Sequence, residues 1–284
     1  MSSWQGPFPD AEIKRALGPL EDGKVLYFPW LSFVISENWE PLLRSFVASH
    51  KAKNISYNPM RGALKGTGAA EEERRYLQQM LATFSATVAR FVSDLLPSYA
   101  RGIEVARASF RPVEIAGREY SRLKDDRLLH IDAFPSTPTR GRRILRFFSN
   151  INPRGEPRVW RIGEPFDRHA VRFQPSLRRS AAPIAWLLAA VGATRGRRSA
   201  YDELMLGLHD AAKRNAEFQE GAAYEEIAFP AGSSWMCFTD QVLHAAVAGQ
   251  HSLEQTFYLD VEAMAEPDRS PLRTLERMTG RKLC

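Results

Sequence analysis

From residue 71 to 97 the apolar side chains of Tyr76, Met80, Phe84, Val88, Phe91 and Leu95 recur at steps of three or four, the stripe of an amphipathic helix, which Pro97 closes. The period then changes. Residues 103–115 (IEVARASFRPVEI), 127–134 (RLLHIDAF), 142–151 (RRILRFFSNI) and 157–163 (PRVWRIG) read as short strands split by Pro and Gly turns. Residues 165–220 read as mostly helical, and strands resume at YEEIAF (224–229), SSWMCFT (233–239), QVLHAAVAG (241–249) and LEQTFYLDV (253–261). An early strand is expected at KVLYFPW (24–30), and the basic tail from residue 266 is expected to form a short helix or to fray. Many short strands at a spacing of roughly 8 to 12 residues, without β-α-β alternation, predict a mainly β fold with helices, of the α+β class. The expected architecture is a double-stranded β-helix, the jelly roll of the cupins, with the long helix packed on a sheet. The whole chain, 1–284, is read as one domain, and 165–220 as a helical insertion within it.

Composition changes this picture little. With 284 residues and 44% hydrophobic content, the chain can bury a substantial core. No internal repeat or low-complexity tract is visible. The opening MSSWQGPFPD has no basic stretch followed by an apolar one, and the longest apolar run, residues 181–193, is too short to span a bilayer. A cytoplasmic protein without a transmembrane helix is expected. Cys237 and Cys284 make neither a disulfide framework nor a zinc spacing, and Cys237, in the apolar WMCF, reads as a packed thiol. A net charge of +6 suits nucleic acid, anionic lipid or a small anionic substrate. Nucleic acid is disfavoured, because the aromatic residues read as core and show no alternation with basic residues.

Candidate chemistry starts from LLHIDAF (128–134), where a histidine and an aspartate interrupt an apolar run. In a strand, residues i and i+2 share a face, so His130 and Asp132 project side by side. A buried carboxylate is costly unless a cation or several donors satisfy it, and a metal ion serves both residues. His244, in a later strand, is the natural third ligand. Two histidines and one carboxylate make the facial triad of non-haem Fe(II) oxygenases, with coordination positions left open. The competing interpretation is a hydrogen-bonded core pair, and the same ligand set also serves catalytic zinc. Of the other histidines, His50 and His251 look loop-borne, His209 lies on the inserted helices, and His169 reads as a surface residue, with the mouth of the site as the alternative.

The blocks HIDAFPSTPTRGRRILRFFSNINPRGEPRVWRIGEPF and FPAGSSWMCFTDQVLHAAVAGQHSLEQTFYL, within a similarity running from about residue 24 to 262, resemble the Kdo 3-hydroxylase family of Fe(II)- and 2-oxoglutarate-dependent dioxygenases. The resemblance implies iron rather than zinc, with His130, Asp132 and His244 on the family's ligand positions and 2-oxoglutarate and O2 as co-substrates. It implies that the substrate is Kdo in the lipopolysaccharide inner core, carried on lipid A, and that its C3 gains a hydroxyl to give Ko.

Many members of the wider superfamily hold the far carboxylate of 2-oxoglutarate with an arginine about ten residues after the distal histidine, yet residues 245–266 contain no Arg or Lys. Arg146, on an otherwise apolar strand face with Ile144, Phe148 and Asn150, is the first candidate for that role, because a buried guanidinium needs an anionic partner. Arg111 and Arg158 could hold either the co-substrate or the sugar carboxylate, and Asn150 and Gln255 could add amide hydrogen bonds. The insertion carries an apolar centre between Arg178, Arg179 and Arg195, Arg197, Arg198; it reads as a lid, as a segment touching the anionic inner membrane at its cytoplasmic face, or as a packed helical hairpin. Two rival functions are a related hydroxylase of another small anion and a non-enzymatic sugar-binding cupin.

Overall fold

The computed structural model describes residues 1–43, 47–48, 54–117, 120–176 and 197–284. Among these residues ten strands form two antiparallel sheets. The larger has the order β1-β8-β5-β10-β4-β2-β3, from β1 (Leu26–Phe28), β2 (Ile55–Asn58), β3 (Ala63–Lys65), β4 (Ile103–Arg111), β5 (Arg143–Asn150), β8 (Ser234–Phe238) and β10 (Ser252–Leu259). The smaller has the order β7-β6-β9, from β7 (Glu225–Phe229), β6 (Arg158–Ile162) and β9 (His244–Ala248). This is the expected jelly roll. The helices around it are α1 (Asp10–Glu21), α2 (Glu71–Leu95), α3 (Phe166–Phe173), α4 (Ala200–Arg214), α5 (Ala216–Gly221) and α6 (Pro271–Thr279). The basic tail therefore forms a helix. Among the described residues, no helix is long and apolar enough to cross a membrane.

The pleat of β5 shows how the sequence divides the two cores. Phe147 points out of the sandwich onto α2, where its ring meets Phe91 at 5.6 Å, within a cluster that includes Met80, Phe84, Val88 and Leu95. Phe148, one residue on, points inward and stacks on Trp235 at 5.3 Å and 12°. The inter-sheet core is small and aromatic: Phe148, Trp160, Phe229 and Trp235 pack with Ile115, Val242, Ala246 and the buried thiol of Cys237. Arg146 shares the inward parity of Phe148, so the pleat delivers a guanidinium into the sandwich.

Two expectations change. The strand expected at 127–134 reduces to a single bridge between His130 and His244, because the backbone just before it is held by a side chain. Leu129 N–H donates to Gln219 Oε1 at 2.8 Å, and Gln219 Nε2 donates back to Leu129 O at 2.9 Å. The α5 amide thus takes the place of a neighbouring strand. His169, expected at the surface, is instead 0% exposed, with its ring against Phe173 at 5.1 Å and Phe218 at 6.0 Å. The parity of a short helix in an insertion cannot be read until its packing partners are known. Arg178, Arg179, Arg195 and His50 lie outside the described residues; Arg198 is engaged, donating to Pro135 O and Glu203.

Neither ring nitrogen of His169 has a hydrogen-bond partner, and burial pulls its folded pKa down to about 4. The unfolded chain therefore binds a proton first as the pH falls, and the native state is destabilised between about 6.5 and about 4, by roughly 3 kcal/mol across that window. In urea unfolding, His169→Phe is expected to gain on the wild type by that amount as the pH is lowered from 7 to 4. A stability difference that stays constant with pH would refute the assignment.

Candidate metal centre

His130, Asp132 and His244 converge, each buried, and one ligand atom from each lies within 4.8 Å of the others. Backbone pairing brings them together. His130 N donates to His244 O and His244 N to His130 O, both at 2.9 Å, and Asp132 N donates to Thr239 O at 2.7 Å. Each imidazole is then oriented by the carbonyl two residues before it: His130 Nδ1 lies 2.7 Å from Leu128 O, and His244 Nδ1 lies 2.8 Å from Val242 O. With Nδ1 protonated in both rings, both Nε2 lone pairs face the shared space. Burial, helped by the neighbouring His244 and Lys213, keeps the His130 imidazole neutral, and burial does the same for His244. Burial would raise the Asp132 carboxyl, but the Arg146 guanidinium beside it, with a hydrogen bond from Thr239, overrides this and holds the group ionised well below the usual range. Two neutral imidazoles and one carboxylate are the protonation states a divalent cation requires.

Beside these residues is a small cavity of about 50 Å³, lined by Arg111, Asp126, Arg146, Phe148, Arg158, Trp160 and Ala246. Arg146 stands between two carboxylates, 3.3 Å from Asp132 Oδ2 and 3.3 Å from Glu254 Oε1. Arg111 donates to Glu254 Oε2 from Nε at 3.0 Å and Nη2 at 2.8 Å, and reaches Asp126 at 3.6 Å. Arg158, 3% exposed, bonds only to Gly249 O among the described residues, at 2.7 Å, and burial together with Arg111 draws its pKa down to about 9. Trp160 stacks on His244 at 5.0 Å and 20°. Asp132 Oδ2, Arg146 Nε, Arg158 Nε and Trp160 Nε1 are all buried without a hydrogen-bond partner. Arg146 Nε and Asp132 Oδ2 face each other as an ion pair, which leaves Arg158 Nε and Trp160 Nε1 as two buried donors with no acceptor; they call for an anion in the cavity, and an ionised carboxylate beside two imidazoles suits a cation. Charge agrees: three arginines balance Asp126, Asp132 and Glu254, so a divalent cation leaves an excess that a dianion cancels.

The family model for 3-deoxy-D-manno-oct-2-ulosonic acid (Kdo) hydroxylase matches residues 4–282. The chain belongs to the Kdo hydroxylase family. A crystal structure of the Kdo hydroxylase KdoO, a non-haem Fe(II) α-ketoglutarate-dependent dioxygenase in complex with cobalt(II), matches with a TM-score of 0.97 at 46% identity, over 100% of this chain and 95% of that one. The apo structure of KdoO matches at 0.96 and 46%, and its complex with α-ketoglutarate and Fe(III) at 0.95 and 45%, with the same coverage. A search of curated proteins finds no match. Membership in the family makes the chain a non-haem Fe(II)- and 2-oxoglutarate-dependent dioxygenase.

The residues singled out in the sequence divide into two groups. His130, Asp132, His244, Arg111, Arg146 and Arg158 all line the one cavity. Asn150 and Gln255 do not. Asn150 donates both amide hydrogens to carbonyls, of Glu156 at 2.9 Å and Phe229 at 3.0 Å, and its Oδ1 accepts from Asn152 N; it clamps a turn and has no donor left for a ligand. Gln255 pairs with Phe147 and so faces α2, with its Nε2 on Thr256 O. Its neighbour Glu254 takes the inward position. Glu254, Trp160, Gln219 and His209 were not singled out for the site. Only Glu254 had a usable signal, as a lone acid in an apolar strand next to the residue that was chosen.

Gln219 satisfies two buried backbone groups immediately before the ligand segment. Gln219→Ala is expected to cost about 1–3 kcal/mol in unfolding free energy and to lower cobalt(II) affinity ~10-fold. Gln219→Glu retains the acceptor for Leu129 N–H and should fall between. Unchanged cobalt(II) affinity in a destabilised Gln219→Ala protein would show that the clamp does not set the ligand geometry.

Proposed function

We propose that this protein hydroxylates Kdo at C3 to form Ko, with His130, Asp132 and His244 as its iron ligands. The convergence of two Nε2 lone pairs and an ionised carboxylate beside a cavity lined with arginines is the observation that carries this reading. When bound, Fe(II) and 2-oxoglutarate supply, with O2, the oxidising power that turns a C–H bond into C–OH. The protein supplies position and charge. The carbonyls of Leu128 and Val242 fix the two imidazoles, and Arg146 keeps Asp132 ionised. Arg158 is the anchor for the far carboxylate of 2-oxoglutarate, because it is the one arginine of the three without a carboxylate partner among the described residues and its neighbour Trp160 offers a free N–H on the same cavity. Arg111 and Arg146, both already on Glu254, set the walls. The aromatic residues Phe148 and Trp160 exclude water from the inner end.

Kdo carries a carboxylate at every neutral pH, and the chain approaching the cavity at Asp126 carries Arg122, Lys124 and Arg127. Such a rim suits an anionic acceptor, and we take the acceptor to be Kdo on lipid A, which would bring the enzyme to an anionic membrane face. In this reading the described parts of the insertion, residues 165–176 and 197–220, pack beside the site within a single domain.

The test is an anaerobic titration with Fe(II) and 2-oxoglutarate, read by the weak visible charge-transfer band of the chelated complex. Wild-type protein should develop the band. His130→Ala and His244→Ala should not, and Arg158→Ala should need about 10- to 100-fold more 2-oxoglutarate. With O2 admitted, Kdo-lipid A should gain one oxygen atom by mass spectrometry, with free Kdo compared alongside. A protein that forms the band but oxidises neither would overturn the substrate assignment, and one that binds zinc alone would overturn the mechanism.

A further inference from the structure

We infer that His209, oriented by Asp210, contacts the acceptor directly, its Nε2 accepting a hydrogen bond from a sugar hydroxyl beside the metal centre. The inference rests on the reading above that the acceptor is Kdo. Four rings stand in a row. Trp160 stacks on His244, His244 lies 4.7 Å from His130, and His209 meets His130 edge to face at 5.5 Å and 88°. Trp160 lines the arginine cavity; His209, carried by α4, meets His130 and is not among the residues lining that cavity. A molecule that places a carbon over the metal without entering the arginine cavity comes within reach of that ring.

His209 is built for such a contact. Its Nδ1 lies 2.8 Å from Asp210 Oδ1, which places the proton on Nδ1 and leaves Nε2 as an acceptor. Nε2 has no hydrogen-bond partner among the described residues, and the side chain is 13% exposed, so it meets solvent at the rim. The surrounding polar groups are engaged. Arg122 Nε donates to Lys213 O at 2.5 Å, Lys213 Nζ to Leu123 O at 3.2 Å, Arg127 to Asp125 at 2.8 Å, and Arg111 to Glu254. A polyol brings several O–H donors into a site where water is displaced, and each needs an acceptor. An imidazole nitrogen offers one without adding a carboxylate next to that of Kdo.

The experiment is calorimetric titration of free Kdo into the cobalt(II)-loaded protein saturated with 2-oxoglutarate, which binds without turnover. Wild type is compared with His209→Ala, His209→Gln and Asp210→Asn, with cobalt(II) affinity and thermal melting measured for each. His209→Ala is expected to bind Kdo about tenfold more weakly, with smaller losses in the other two and with cobalt(II) affinity unchanged in all. A fall in cobalt(II) affinity with Kdo affinity retained would overturn the proposal and leave His209 as a brace for His130; no change in either would overturn it as well. If His209→Ala melts early, the two conservative variants carry the comparison. A wild-type protein that binds neither free Kdo nor, in a parallel titration, Kdo-lipid A in detergent would overturn the substrate reading and this inference together, a failure distinguished by appearing before any substitution; where only Kdo-lipid A binds, the variants are compared on it.

Discussion

The site depends on one backbone pairing, the two reciprocal hydrogen bonds between His130 and His244. Among the described residues this is the one ladder bridge between the segment carrying His130 and Asp132 and the small sheet; Ala246 N adds a single hydrogen bond to Asp126 O at 2.9 Å, and the bridge sets the separation of the two imidazoles. Each ring is then locked by a carbonyl two residues earlier in its own chain, so ring orientation follows from backbone position without further side chains. A one-residue slip in the pairing would invert the parity of the segment that shifts and turn its imidazole away from the other.

Charge is the second constraint. Burying Arg111, Arg146 and Arg158 between two sheets is unfavourable, and Glu254 lowers that cost by bridging the first two. Arg158 receives no such help. A fold selected for stability alone would place an apolar side chain there, as it does at neighbouring Phe148 and Trp235. Unpartnered donors gathered around one cavity mark where the protein gives up stability to pre-form a binding site.

The convergence of His130, Asp132 and His244 and the jelly roll were legible because they rest on period-two alternation, which survives small errors in strand ends. Arg146 was legible for the same reason, as a charge on an apolar face. Glu254 and Gln255 differ only in parity, and parity in β10 is fixed by its register with β5, a relation between segments more than 100 positions apart. Asn150 had the right parity, but the turn that consumes its amide is a tertiary feature. Gln219, His209 and His169 belong to helices whose buried faces are set by what they cover, and no periodicity in residues 165–220 reveals that they lie against the ligand segment.

The segment 129–140 is therefore held less by the sheet than by the inserted helices on either side of it. Gln219 of α5 grips Leu129 just before His130. After Asp132, the loop returns to α4, where Asp202 Oδ1 accepts from both Thr139 N at 2.8 Å and Arg140 N at 3.0 Å. Two successive N–H groups converging on one oxygen require the backbone to turn sharply, and Arg140 accordingly adopts a left-handed φ of 55°. The other oxygen of Asp202 accepts from Ser199 N and Ser199 Oγ at the start of the same helix, so the carboxylate that starts α4 also fixes the exit of the ligand segment. Helix α4 also carries His209 against His130, so the segment bearing His130 and Asp132 meets that helix both at His130 and at its exit. A strand-embedded motif would be fixed by its own ladder instead; here the position of the site side chains follows the packing of the inserted helices.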